Sequence, residues 1–330
     1  MIPSRPGRAP FAVLPALVFV LAIAGVAAAG EDAVDSTIER PIHVGESVVV
    51  VELPRDGIDL PRDQLLTWIS KCAHAVEHYY GKFPVPRVRL VFSPHSGEAI
   101  GPGRSFGEPE PRIEIGIGRA ATLDDLARDW ELTHEMVHLA FPWMPREHHW
   151  IEEGIATYVE PLGRLQTGQL TEESVWHDLV TGLPKGLPAE GDQGLDRTHT
   201  WGRTYWGGAL YCLLADIEIR KQTNGKFGLR DGLRAINAAG GSIAVHWTLE
   251  RALETADRAT GVPVLTNLWR KMRHEPMPVD LEALWKRLGV VRDGDHLRFD
   301  DTAPDAKIRH EIDGVEPDHD SAAASTNRNE

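Results

Sequence analysis

The chain has 330 residues, 42% of them apolar, and its 49 acidic against 35 basic side chains give a formal net charge of −14. An acidic chain with no basic block offers nucleic acid no electrostatic footprint, which argues against a nucleic-acid partner. About 300 residues remain beyond the N-terminal segment, enough for a substantial core in one large domain or two small ones.

The first segment, "MIPSRPGRAPFAVLPALVFVLAIAGVAAAG", carries Arg5 and Arg8, then an apolar run from Phe11, then Ala27-Ala28-Ala29. A basic start, an apolar centre and a small-residue ending are the marks of a signal peptide over 1–29. The mature chain is therefore expected to be exported: periplasmic, secreted or envelope-associated. The alternative is an uncleaved run serving as a membrane anchor, since about 18 apolar residues suffice to span a bilayer. No other stretch is long and apolar enough to span. Removal of the leader takes away two arginines and no acid, so −14 becomes −16.

Residues 30–120 read as an α/β part. "SVVVVEL" and "RVRLVFS" have the β-branched character of strands, and "RDQLLTWISKCAHAVEHYYGKF" between them repeats apolar residues three and four apart, as a helix does. "PRIEIGIG" alternates Ile113, Ile115 and Ile117 with small or polar residues, the pattern of a strand with one buried face.

Residues 121–305 read as mostly helical. Thr122 with Asp125 three residues on offers an N-cap, and Leu126, Trp130, Thr133, Val137 and Phe141 then recur at helical spacing up to Pro142. A shorter helix starts near Trp150 and is expected to stop at Pro161. The stretch from 182 to 200 is rich in Gly and Pro and suits a binding loop or lid. "DLEALWKRLGV" and "DHLRFDD" suggest a last helix and a short strand, and 306–330 is expected to be a disordered tail. Cys72 and Cys212 each sit in an apolar helical pattern and read as buried thiols, although an oxidising compartment would permit a disulfide between them. The chain shows no internal repeat.

The chemistry concentrates in "ELTHEMVHLAFPWMPREHHWIEEGIATYVE", residues 131–160. On a helix His134 and His138 lie one turn apart and can point both imidazoles at one ion, while Glu135 reaches a ligand of that ion without binding it. Zinc hydrolysis needs that arrangement: three protein ligands, an open position for water, and a carboxylate to take the water's proton. A third histidine six residues after His138 would mark one zincin class, but Met144 stands there and Phe141 replaces the glycine three residues before it. The other solution is a glutamate from a following helix, and "WIEEGIATYVE" supplies Glu152 and Glu153. Glu153 is favoured because it heads a polar stripe with Thr157 and Glu160, opposite an apolar stripe of Ile151, Ile155 and Val159. Gly154 is unfavourable inside a helix, which suggests a close neighbour at that turn.

His134-Glu135-x-x-His138 followed by Trp150-x-x-Glu153-Gly154-x-Ala156-x-Tyr158 resembles the gluzincin metallopeptidases, in particular the alanyl-aminopeptidase and glycyl-aminopeptidase families. The resemblance implies one zinc ion held by His134, His138 and Glu153, with Glu135 as general base and Glu160 supporting the site from outside the ligand shell. "RTYWGGALYCLLADIEIR" looks like the family's Tyr-x-Lys-Gly stretch, which implies that the Tyr205 hydroxyl stabilises the oxyanion. By position "RIEIGIG" resembles the edge strand along which gluzincins lay an extended peptide.

The chain also departs from the family pattern. Fourteen residues stand between His138 and Glu153, fewer than the eighteen usual in the alanyl-aminopeptidase group. The family lysine is Gly207, and no Gly-x-Met-x-Asn segment for a substrate's α-amine is present. The resemblance covers residues 112–222 and does not carry aminopeptidase specificity with it.

The expectation is an α+β, zincin-like metallopeptidase domain: a small mixed sheet with an edge strand beside the active-site helix, then a mostly helical C-terminal half. Its substrates would be peptides or proteins, and any membrane association would come through an uncleaved N-terminal segment. Two rivals share these residues: a non-catalytic, zinc-containing envelope binding protein, and a metal-dependent hydrolase of a non-peptide amide. His148 and His149 read as solvated loop residues able to donate to an oxyanion. Six of the ten tryptophans lie between 130 and 206, either lining a cleft or filling the core.

Overall fold

A computed structural model of the chain describes residues 37–314 apart from Glu98. The leader expected at 1–29 and residues 315–330 of the expected tail lie outside the described residues.

The N-terminal part is a five-stranded mixed sheet of β1 (Thr37–Val44), β2 (Ser47–Pro54), β3 (Arg87–His95), β4 (Ile100–Phe106) and β5 (Arg112–Gly118), in the order β1-β2-β3-β5-β4. β2, β3 and β5 run parallel in the centre, and the two outer strands pair antiparallel. A tight turn at Gly45, whose φ of +56° suits glycine, joins β1 to β2. Helix α1 (Arg62–Tyr80) crosses from β2 to β3 and buries Leu65, Trp68, Ile69, Cys72 and Val76, then ends on Gly81 in the left-handed conformation.

The sequence reading missed both outer strands. β1, "TIERPIHV", is largely exposed and carries Pro41, which only an edge strand tolerates. β4, "IGPGRSF", is so rich in glycine and proline that its composition reads as loop. β5, read as the edge strand, is one strand further in, and Ile113, Ile115 and Ile117 are fully buried as an interior strand requires.

Beyond β5 the chain is mostly helical: α2 (Leu123–Arg128), α3 (Glu131–His138), α4 (His149–Gln166), α5 (Glu172–Gly182), α6 (Gly208–Thr223), α7 (Leu229–Ala238), α8 (Leu249–Thr260), α9 (Val264–Met272) and α10 (Leu281–Leu288). A hairpin of β6 (Val290–Asp293) and β7 (His296–Phe299) precedes α11 (Ala306–Asp313). One contiguous apolar core runs from beneath the sheet through the helices. Among the described residues no helix is long and apolar enough to cross a membrane.

Three expectations need correction. The single helix expected from Thr122 to Phe141 is two. Thr122 and Asp125 do form the capping box, but the backbone becomes extended at Asp129, whose carboxylate accepts the amides of Glu131 and Leu132 and so starts α3 afresh. Trp130, counted on the apolar stripe, is half-exposed in consequence. The second helix does not stop at Pro161 but continues to Gln166, because α4 is buried along nearly its whole length against α1 and α6 and that packing outweighs the lost backbone bond. The tail expected from 306 begins with the ordered helix α11. Cys72 and Cys212 are both buried and free.

Candidate metal centre

Helix α3 packs on α4, and α4 on the turn at Arg203–Gly207, which brings the candidate residues together from three elements. The four-residue spacing places His134 and His138 with ring centroids 4.9 Å apart. Glu153 arrives from the first turns of α4, its Oε2 lying 3.1 Å from His134 Nε2 and 3.7 Å from His138 Nε2. One ligating atom from each of the three lies within 4.8 Å of the other two.

The neighbour that Gly154 pointed to is Gly208. A Cβ on either glycine would collide with the other's backbone, so α4 and α6 cross there at backbone contact. Glu152 is turned elsewhere: its Oε1 accepts the Met144 amide at 3.1 Å and its Oε2 meets His149 Nδ1 at 3.3 Å.

Two imidazoles and a carboxylate, mostly buried, fit a three-ligand zinc site that keeps a position open. Burial lowers the His138 pKa to about 4, so its ring is neutral and has a lone pair to give. Burial works to raise that of Glu153, but hydrogen bonds from His134 and His149 outweigh it and hold the carboxyl well below its ordinary range.

Glu135 lies beside this group. Ser105 Oγ of β4 donates to its Oε2 at 2.6 Å, and burial, against that hydrogen bond, raises its pKa. Gly103, two residues earlier, has no room for a Cβ because the Glu135 side chain occupies that space. Gly103, one of the two glycines that disguised β4 as a loop, thus lets the sheet edge close on the helix. On the turn before, Glu131 Oε1 accepts the Gly103 amide at 2.7 Å.

Tyr205 stacks at 6.2 Å on His134 from a π-helical turn, Arg203–Gly207. Burial, then the Glu153 charge and a hydrogen bond to that carboxylate, push its phenol up to about 12, so the hydroxyl keeps its proton and in this structure donates to Glu153. Glu160 is buried one layer out, but its hydrogen bond runs to Arg164 Nη1 at 2.7 Å, and it acts on His134 through charge. Burial, opposed by Arg164, raises its pKa to about 7.

The site opens into a cleft of about 550 Å³ lined by β4 residues 102–105, by α3, by Trp143, Met144 and Arg146, and by Tyr205 and Ile243. The 182–200 stretch is not among its walls. It braces α4 from behind instead, where Asp196 accepts Trp150 Nε1 at 2.8 Å and meets His148 Nδ1 at 3.1 Å. The sequence reading missed Ser105, which no local signal marks, and took His149 for a solvated residue although it bridges Glu152 and Glu153.

No family model matches the chain, and neither does any curated protein. Among solved structures, an aminopeptidase N family protein from Idiomarina loihiensis shares the fold with a TM-score of 0.60 at 13% identity, over 78% of this chain and 50% of that one. An M1 zinc metallopeptidase from Deinococcus radiodurans gives 0.47 at 14% identity, over 74% of this chain and 53% of that one. The chain spans about half the length of these structures, and at 13% identity the likeness to the first is one of fold alone.

Proposed function

We propose that the chain is an exported, single-zinc metallopeptidase. The observation that carries this reading is the meeting of His134, His138 and Glu153 in an open cleft, beside a glutamate that is not one of the three. The shared fold with an aminopeptidase N family protein supports the peptide as substrate, and the signal-peptide-like pattern of residues 1–29 is the reason to propose export.

His134, His138 and Glu153 would hold the ion. Bound there, zinc supplies Lewis acidity, polarising a carbonyl and lowering the pKa of a water towards about 7. Glu135, held by Ser105 at 2.6 Å, takes the attacking water's proton and passes it to the leaving amine. Tyr205 donates its phenolic hydrogen to the oxygen that gains charge during attack, an interaction that grows only in the transition state. The Gly103 amide is already used by Glu131, so a peptide laid along β4 pairs with other main-chain groups of the strand or displaces that carboxylate.

The test is metal content by mass spectrometry on protein purified without added zinc, with hydrolysis of a quenched peptide library read on the same samples. About one zinc in the wild type and much less in Glu153→Ala is expected. Glu135→Gln should keep its metal and lose roughly 10²–10⁴-fold in turnover. Zinc without turnover of any peptide would shift the reading to a zinc-containing binding protein or a non-peptide amide hydrolase. A folded wild type that takes up no zinc would sink the metal site itself.

A further inference from the structure

His149 stands on the first turn of α4 with each ring nitrogen against a carboxylate. Nδ1 is 3.3 Å from Glu152 Oε2, and Nε2 is 3.1 Å from Glu153 Oε1. These are the i,i+3 and i,i+4 neighbours, the two positions a helical side chain can reach together. Glu152 is itself fixed, because its other oxygen accepts the Met144 amide at 3.1 Å. A continuous line of contacts therefore runs from the loop before α4, through Glu152 and the imidazole, to Glu153.

The two oxygens of Glu153 are thereby divided: Oε1 faces His149, and Oε2 faces His134 and His138. We propose that His149 is a positioning residue, whose Nε2–H holds Glu153 Oε1 so that the carboxylate presents a single oxygen to the metal. Tyr205 also hydrogen-bonds this carboxylate, so loss of the His149 donor removes one of two restraints on its last torsion, and each binding event would more often have to select one arrangement. A carboxylate held in this way would occupy one ligand position and not two. Donors outside the ligand shell that orient ligands in this way typically account for 10–100-fold in metal affinity. His149 is half-exposed on the cleft wall, where solvent screens part of the interaction, so the lower half of that range is expected.

The inference rests on the metal-site reading above, and its test separates the two. Zinc dissociation constants are measured by competition with a chromophoric chelator, and release rates by adding excess chelator, on the full chain and on His149→Ala and His149→Gln. Neither readout depends on turnover. His149→Ala should bind zinc roughly 10–30-fold more weakly and release it faster. His149→Gln should return to within a few-fold of wild type, because an amide N–H at that position can reach Glu153 four residues on. Equal affinity in His149→Ala and wild type overturns the proposal. So does loss of affinity in both variants, which would make the imidazole a ligand or a structural prop rather than a donor. A wild type that binds no zinc removes the metal-site reading before His149 is in question.

Discussion

Ser105 ties the sheet edge to the candidate base, and the consequence is kinetic. Its hydroxyl is 2.6 Å from Glu135 Oε2; the bond favours the ionised form, so it aids turnover by holding the carboxylate in place rather than by strengthening it as a base, and misplacement of a reacting group by about 1 Å can cost up to about 100-fold. Ser105→Ala is therefore expected to lower kcat by about tenfold or more while zinc content stays at the wild-type level, since Ser105 touches none of the three proposed ligands. A fall in metal content instead would make Ser105 a support of the whole site rather than of the base. A second residue, far from the cleft, sets a pH dependence. Asp313 on α11 accepts Trp176 Nε1 at 2.9 Å, and burial, followed by the neighbouring Glu172 charge, raises its pKa well above the ordinary 3.8. The folded chain then keeps a proton that the unfolded chain has released, so stability falls as pH rises from about 4 through neutrality. Asp313→Asn keeps an acceptor for Trp176 and cannot titrate, so its urea midpoint should fall less between pH 5 and pH 8 than that of the wild type. Equal falls in the two proteins would show that Asp313 does not govern the slope.

The crossing of α4 and α6 is where packing sets the geometry of the site. Gly208 lies against the Trp150 carbonyl and the Gly154 backbone, and a Cβ there forces the helices apart. Overpacking of this kind costs about 1–3 kcal/mol, and Glu153 precedes the contact by one residue, so Gly208→Ala should lower both the unfolding midpoint and the zinc affinity. Unchanged affinity in a destabilised variant would mean that α4 absorbs the shift without moving its carboxylate. This contact also accounts for what Gly154 signalled beforehand, whereas Glu153 was favoured because it heads a polar stripe downstream of the two histidines. A glycine is unfavourable in a helix interior unless something approaches it closely, so Gly154 marked its own turn as a contact. His134, Glu135 and His138 were legible because their geometry is local to one helix. The remainder was hidden where tertiary packing overrides local pattern. The helical period runs unbroken through Asp129, so a cap in mid-pattern cannot be seen, and Trp130 keeps the spacing of a core residue while lying half-exposed. β4 reads as a loop because Gly103, which lets it approach α3, and its neighbours Gly101 and Pro102 are residue types that usually break strands.

Across the molecule the cleft is shaped by parts distant in sequence. The segment after α7 closes on the loop after α3 through the Ile243 amide to the Leu139 carbonyl at 3.2 Å and the Trp143 amide to the Val245 carbonyl at 3.0 Å. Three of the four large apolar side chains exposed on the described residues stand around this opening: Trp130 meets His134 edge-on at 5.3 Å, Trp201 stacks on Tyr205 at 5.8 Å, and Trp143 packs on His246 at 4.7 Å. Exposed aromatic surface beside a polar site is a place for apolar groups of a bound chain. Trp201 approaches the site through the candidate oxyanion donor, whereas Trp143 belongs to the separate junction of the 139–145 loop with residues 243–246, so the two should contact different parts of one substrate. Trp143→Ala and Trp201→Ala are each expected to raise KM by about three- to tenfold for peptides with large apolar residues, the effect of losing about 1 kcal/mol of aromatic contact. Zinc content should not change, and in a position-scanned library each variant should relax preference at a different position relative to the cleaved bond. If both relax the same position, the two tryptophans serve one pocket, and the cleft holds its substrate from one side of the metal alone.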